Sequence, residues 1–319
     1  MKVLYRHKFW RYRKQILFAL IAAVFAWWPP YNVDVASETS RAVAGKTFRV
    51  VAENNPRLHR RLAEPLCRAT NETLKLLVIV KSSFHNEQQR SAIRKTWGSK
   101  KGSVRVVFIV GVVPSASSAL NRALAREIEA QSDILQVDVI DTYRNNTLKF
   151  FHSINYAFKS AGGCSASDFV LLVDDDYMVH VDMLLRYISS KNPSQQLYEG
   201  WRFDTAPFRF RLHKHAVSLD NYPFNRYPPY ISAGAVLLSR KTISYFYYAM
   251  QLVRLYSFDD IYAGIIAYLL KITPKHNEAF VFWSRSISPE EWRSGKVLAA
   301  HGYPYDRLLD GYPLLDERA

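Results

Sequence analysis

The feature that most constrains this chain is a repeated alternation between short apolar runs and longer amphipathic stretches. "LKLLVIVKS" (74–82) is followed by "NEQQRSAIRKTWG", "VRVVFIVG" by "SSALNRALAREIEAQ", and "ILQVDVID" by "TLKFFHSINYAFKSAGG", after which comes "FVLLV" (169–173). The short runs are almost wholly apolar, so both faces of each must be buried. The stretches between them read as helices, the first with Asn86 as N-cap and Gly98 at its stop. This order predicts an α/β fold, a mainly parallel sheet with helices on both faces. Ligands of such sheets bind beyond the carboxyl ends of the strands. "ISAGAVLLS", "RKTISYFYYAMQ" and "DDIYAGIIAYLLK" continue the pattern without a linker, so residues 74–319 read as one domain.

The first 73 residues have a different texture. A tail (1–15) carries Lys2, Arg6, Lys8, Arg11, Arg13 and Lys14, with no acid before Asp34. The apolar run "ILFALIAAVFAWW" and Pro29-Pro30 follow (16–30). The run is shorter than the ~20 residues that span an average bilayer. Its flank is Trp-Trp-Pro-Pro rather than a small-residue cleavage site. Interfacial tryptophans and the thinner membranes of the early secretory path favour an uncleaved transmembrane signal anchor over a cleaved signal. The basic flank then stays cytosolic and the remainder is lumenal. Residues 31–73 are polar with little periodicity and read as a stem. Asn71-Glu72-Thr73 and Asn145-Asn146-Thr147 are glycosylation sequons, which agree with lumenal exposure. Cys67 and Cys164 allow one bridge or two thiols, not a disulfide framework. The formal charge is +15, and removing the tail's six basic residues leaves +9. That excess suits anionic partners such as phosphates or headgroups. Nucleic acid is excluded because the anchor puts the basic body in the wrong compartment.

The chemistry concentrates in acidic clusters. "DFVLLVDDDYMVH" ends a buried strand on three adjacent carboxylates. On an extended chain Asp174 and Asp176 project to one side and Asp175 to the other. Two carboxylates on one side can share a hard divalent cation such as Mn²⁺ or Mg²⁺ together with substrate phosphates. The competing reading is a solvated acidic turn. Arg90 and Arg94 are four apart on a helix and can reach a diphosphate, or simply form a basic face. Asp259 and Asp260 open a helix, where one carboxylate serves as a cap and the second exceeds what a cap requires. A carboxylate beside a sugar hydroxyl can act as general base. His301 closes a short apolar run late in the chain, where a structural role competes with metal ligation. The aromatic stretch from Trp201 to Tyr230 suits sugar stacking or the packing of a long loop.

Six stretches in fixed order, "RSAIRKTWG", "VVFIVG", "DTYRNNTLKF", "LLVDDDYMV", "YPPYISAGAVLLS" and "FDDIYAG", fall within the region of about 80 to 301. Together they resemble the β-1,3-glycosyltransferase family of galactosyl- and N-acetylglucosaminyltransferases (glycosyltransferase family 31), most of all its invertebrate Brainiac-type members. The resemblance implies a GT-A fold and an inverting, manganese-dependent transferase, anchored as a type II Golgi membrane protein. Its donor would be UDP-N-acetylglucosamine or UDP-galactose, and its acceptor a glycolipid or glycoprotein. It further implies that Asp174, Asp176 and His301 hold the metal and that Asp260 is the catalytic base, supported by Asp259. By the same resemblance Arg90, Arg94, Asp174 and Asp175 serve the nucleotide. Trp201 and Tyr230 are the acceptor-side candidates. The chain departs from the family at Asp259, where Glu is usual, and at Lys214-His215, where Lys-Trp is usual. The rival readings are a catalytically silent sugar-binding or chaperone protein of the same fold, and a metal-dependent phosphohydrolase.

Overall fold

The computed structural model describes residues 34–46, 60–65, 74–99, 102–113, 118–159, 167–210, 212 and 215–315. The apolar segment 16–30, Cys67, Cys164, Asn71 and Lys214 lie outside the described residues. Among the described residues no helix is long and apolar enough to cross a membrane.

Four parallel strands form the centre of the unit Val35–Ala319. They are β2 (Leu76–Lys81), β3 (Val104–Val112), β4 (Ile134–Ile140) and β5 (Phe169–Asp174), side by side in the order β4-β3-β2-β5. Helices connect them: α2 (Glu87–Lys95), α3 (Ser118–Gln131) and α4 (Asn146–Lys159). All four strands, three connecting helices and their order match the sequence expectation to within a few residues. Alternate strand residues feed two cores, which explains why the runs show no polar face. Leu76, Val78 and Val80 pack with Ala92, Ile93 and Leu124 from α2 and α3. Leu77 and Ile79 face the other way, onto Phe150 and Ile154 of α4.

Beyond β5 the sheet becomes antiparallel. β8 (Tyr230–Ser239) pairs with β5 and with β7 (Tyr198–Phe203), and β9 (Lys275–His276) completes that edge. Two helices after β8, α6 (Arg240–Ala249) and α7 (Asp259–Leu269), cover the same face as α4, where Phe246 and Tyr262 are fully buried. A second, three-stranded sheet joins β6 (Tyr177–Val179) to β11 (Ala299–His301) and β10 (Phe280–Val281). Its strands are only two or three residues long, which hides them from any periodicity test.

The stem expectation needs correction. Within 31–73, α1 (Val35–Val43) packs on α6 and buries Thr39 and Ala42. β1 (Arg61–Ala63) adds an antiparallel edge strand beside β4. Both are too short, and too poor in apolar residues, to stand out in the sequence.

One glycine in the sheet is required by close approach. A Cβ on Gly234 of β8 would lie 2.2 Å from the Tyr177 hydroxyl. Gly234→Ala should therefore cost about 1–3 kcal/mol and lower the melting temperature by several degrees in scanning calorimetry. An unchanged transition would contradict this packing.

Candidate active site

The parallel register places Lys81, the last residue of β2, directly beside Asp174, the last residue of β5. Strand alternation turns both toward the α4/α7 face, along with Leu77, Ile79, Val170 and Leu172. Lys81 Nζ lies 3.0 Å from Asp174 Oδ1 and donates to Asp259 Oδ2 at 2.7 Å. Asp259 arrives from the first turn of α7, which packs on this face. Burial by itself would depress the Lys81 ammonium, but Asp174 and Asp259 outweigh it and hold the group firmly protonated. Asp174 is pushed up to about 6, by burial first, and Lys81 only partly offsets this. One ammonium between two carboxylates leaves the cluster negative.

Asp260 adds to that charge. Its Oδ1 accepts a hydrogen bond from the Ile261 N–H at 2.8 Å within the first turn of the helix, while Asp259 forms the ion pair. Burial and the neighbouring Asp259 raise Asp260 to about 7. A small cavity touching Lys81, Asp259, Asp260, Phe150 and Ser153 lies against these groups.

The other two carboxylates of the triplet part company. Asp175 faces α2, where its Oδ2 accepts from Ser82 Oγ at 2.7 Å and Asn86 Nδ2 at 2.9 Å. Asn86 therefore sits at the N-cap position of α2 with its side chain spent on Asp175 rather than on the helix. This ties Asp175 to α2 and opposes the expected nucleotide contact. Asp176 Oδ2 lies 3.1 Å from His301 Nε2. The pairing of β6 with β11 sets His301 opposite Tyr177, and the Asp176 carbonyl accepts from Gly302 and Tyr303. Gly302 has φ +91°, and a Cβ there would meet Ser284 Oγ at 2.3 Å.

Asp176 Oδ1 is buried without a hydrogen-bond partner. An orphaned carboxylate oxygen beside an imidazole nitrogen fits a divalent cation of the Mn²⁺ type. Among the described residues, however, no three His, Cys, Asp or Glu side chains converge as a metal group. Asp174, also expected as a ligand, forms an ion pair with Lys81 at 3.0 Å, and its Oδ1 likewise makes no hydrogen bond. Among the described residues Asp176 and His301 are the two potential ligands that meet here, and oxygens of a diphosphate would have to supply others.

Arg90 and Arg94 also differ from expectation. Arg90 is completely buried and forms a two-pronged pair with Glu127 of α3. It donates as well to Ser82 Oγ and to the Ser83 carbonyl. Arg94 binds Asp133 through two nitrogens at 2.8 Å and Glu127 at 2.9 Å. Neither guanidinium is free for a nucleotide. Arg90 acts at one remove, by fixing the Ser82 hydroxyl that holds Asp175. Trp201 is half-buried and packs edge-on against His276 at 5.0 Å. Tyr230 is buried, shares a hydrogen bond with Thr205 and backs onto Gly264, so it is packing rather than a stacking platform. Asn145 Nδ2 donates to the Ile140 carbonyl, and Thr147 of the same sequon is buried.

Sequence reasoning missed Lys81, Ser82, Gln89 and Glu127. Gln89 donates to the carbonyls of Asp175 and Tyr303, joining α2 to both sheets. A signal existed for Lys81: a lysine ending an apolar strand, parallel to another that ends in aspartate. Glu127 has none, being one acid among several on a helix.

Residues 88–278 match the family model described as Galactosyltransferase. The chain is 39% identical over 97% of its length, and 95% of the relative's, to the β-1,3-galactosyltransferase bre-5 of Caenorhabditis elegans. It is 34% identical to the β-1,3-galactosyltransferase brn of Drosophila melanogaster, over 73% of this chain and 71% of that one. It is 31% identical to N-acetyllactosaminide β-1,3-N-acetylglucosaminyltransferase 4 of Mus musculus, over 64% and 59%. A solved galactosyltransferase, LgtC with donor and acceptor sugar analogs, superposes loosely (TM-score 0.37, 12% identity, 76% and 98% coverage) and adds nothing to the assignment. The chain belongs to the galactosyltransferase family of β-1,3-glycosyltransferases. It is an enzyme of that class, as the sequence motifs implied.

The buried charge network around Glu127 gives a direct test. Glu127→Ala leaves the Arg90 guanidinium buried without its carboxylate, which should cost roughly 3–5 kcal/mol. Urea titration should show a lower midpoint, and a loss under 1 kcal/mol would contradict the network.

Proposed function

We propose that this protein is an inverting β-1,3-hexosyltransferase that moves galactose or N-acetylglucosamine from a UDP-sugar to a sugar hydroxyl of a glycolipid or glycoprotein. The observation that carries the mechanism is Asp260, a carboxylate whose acidity is weakened to about 7 beside the Asp259–Lys81–Asp174 cluster. A base with that value is half-ionised near neutral pH, where proton abstraction is most effective. Asp260 takes the proton of the acceptor hydroxyl, whose oxygen attacks the anomeric carbon from the face opposite the departing UDP. One displacement inverts the configuration and needs no covalent enzyme nucleophile. Lys81 holds Asp259, and so the first turn of α7, in register with the sheet. Asp176 and His301 would hold Mn²⁺ or Mg²⁺. A cation bound there supplies neutralisation of the diphosphate and of the charge on leaving UDP.

Family membership supports transfer over a silent sugar-binding role. Transfer to a glycan acceptor, rather than hydrolysis of the UDP-sugar alone, separates this reading from a phosphohydrolase. The basic tail, the apolar run 16–30 and its tryptophan flank support a type II Golgi membrane protein with a lumenal catalytic domain.

A donor screen with UDP-galactose, UDP-N-acetylglucosamine and UDP-N-acetylgalactosamine against mannose- and galactose-terminated acceptors tests the function. Asp176→Ala and Asp260→Asn should each lower kcat by at least 10²-fold with the fold intact by circular dichroism. Near-wild-type rates in either would refute the assignment.

The pH behaviour follows from the same carboxylate. Asp260 must be ionised to act, so kcat/KM should rise with pH and level off above about 7. Its folded value lies above the ordinary 3.8, so the native state binds the proton more tightly than the unfolded chain. This contribution therefore favours folding below about 4 and is lost as pH rises toward 7. Asp260→Asn should be more stable than wild type at pH 8, with the difference shrinking as pH falls. Thermal melts at several pH values read this out, and a variant less stable at pH 8 would contradict it.

A further inference from the structure

Trp283 is 61% exposed, immediately beyond the short strand β10. A single exposed apolar side chain is ordinary on a protein surface. Two features set this one apart. Its ring is pinned edge-on by Phe282 at 4.8 Å and by Phe203 at 6.5 Å, and those two rings meet edge-on at 4.9 Å. The indole is thus supported from behind while much of its surface faces solvent. The supporting rings also lead to both halves of the site. Phe282 stacks on the His301 imidazole at 6.3 Å and 16°, and His301 meets Asp176. Phe203 packs against Tyr230 at 5.8 Å, and Tyr230 backs onto Gly264 of α7, the helix that carries Asp260.

The register of the second sheet explains the placement. β10 runs parallel to β11 with Val281 beside Ala300, so Phe282 falls next to His301 and Trp283 passes just beyond it. The rings thereby connect a supported tryptophan to His301 through Phe282 and to Tyr230 through Phe203. Trp201 and Tyr230, by contrast, are engaged with His276 and with the Thr205–Gly264 packing.

We infer that Trp283 is the platform on which the terminal pyranose ring of the acceptor stacks, presenting its hydroxyl toward Asp260. This rests on the transferase reading. A pyranose has one face of C–H groups and a rim of hydroxyls. A large aromatic with fixed orientation binds that face and loses little conformational entropy in doing so. The donor has no need of it, because its affinity is dominated by the charged diphosphate. Trp283 is thus an acceptor-selective residue, and removing it should separate acceptor from donor binding.

The test uses the full-length protein in detergent, as wild type, Trp283→Ala and Trp283→Phe, with lactose and methyl β-mannoside as acceptor probes. Trp283→Ala should raise the acceptor KM about ten-fold or more. The donor KM, and the affinity for UDP with Mn²⁺ by calorimetry, should stay within about two-fold. Trp283→Phe, which keeps a stacking ring, should recover most of the loss. Independently of turnover, the tryptophan emission lost in Trp283→Phe should be the part that lactose or methyl β-mannoside shifts in wild type. An unchanged acceptor KM in Trp283→Ala, or a parallel rise in donor KM, would overturn the proposal. If wild type transfers no sugar while the acceptor probes still shift the Trp283 emission, the transferase reading fails and the platform stands. If neither probe shifts it, the platform fails.

Discussion

The site depends on one cross-strand pair. β2 and β5 are parallel neighbours, and each changes from apolar to charged at the same level, at Lys81 and Asp174. A lysine and an aspartate in register at the carboxyl edge of a buried sheet are drawn together by charge, with little water between them to weaken the attraction. The same lysine then captures Asp259 from α7, a helix that packs on this face of the sheet through Tyr262, Ala263 and Ile266. Without the shared ammonium, Asp174 and Asp259 would repel each other and push α7 off the sheet edge. Asp260 is placed as a consequence, because the residue after an anchored Asp259 has little freedom in the first turn of a helix.

The remaining carboxylates are distributed by the fold so that their repulsion is relieved separately. Asp174 goes to Lys81, Asp175 to Ser82 and Asn86, and Asp176 to His301. The second sheet, whose strands otherwise pack into the core, carries His301 for the last of these contacts. It is fastened to the first by the Trp97 indole, which donates to the Tyr177 carbonyl, and by Gln89. The buried Arg90–Glu127–Arg94 network stiffens α2 behind it, and with α2 the loop carrying Ser82. The two groups for a cation, Asp176 in the turn before β6 and His301 on β11, thus stand at the second sheet, while the candidate base stands on α7 against the first.

Family membership and geometry bear on different questions. The family defines the reaction class, and the burial of Asp260 beside Asp259 bears on the proton abstraction proposed for it. The departure from glutamate at Asp259 also has a physical reading. A shorter side chain suits a lysine that already reaches across from β2, and a 2.7 Å contact results.

The sequence alone determined the α/β layering, because runs apolar at every position can be buried only between two layers of helix. It determined the alternation within the triplet, since side chains on an extended strand must point to opposite sides, and it singled out Asp176, Asp260 and His301. Only the tertiary structure decided which charge meets which. Arg90 and Arg94 looked like ligand-binding cations because Glu127, 33 residues beyond Arg94, leaves no local trace of its partnership. The ion pair of Asp174 was equally hidden, because nothing in its own neighbourhood announces Lys81, 93 positions away. Local periodicity records whether a side chain is buried. Pairing between buried charges is set by strand register and helix docking, and these exist only once the chain has folded.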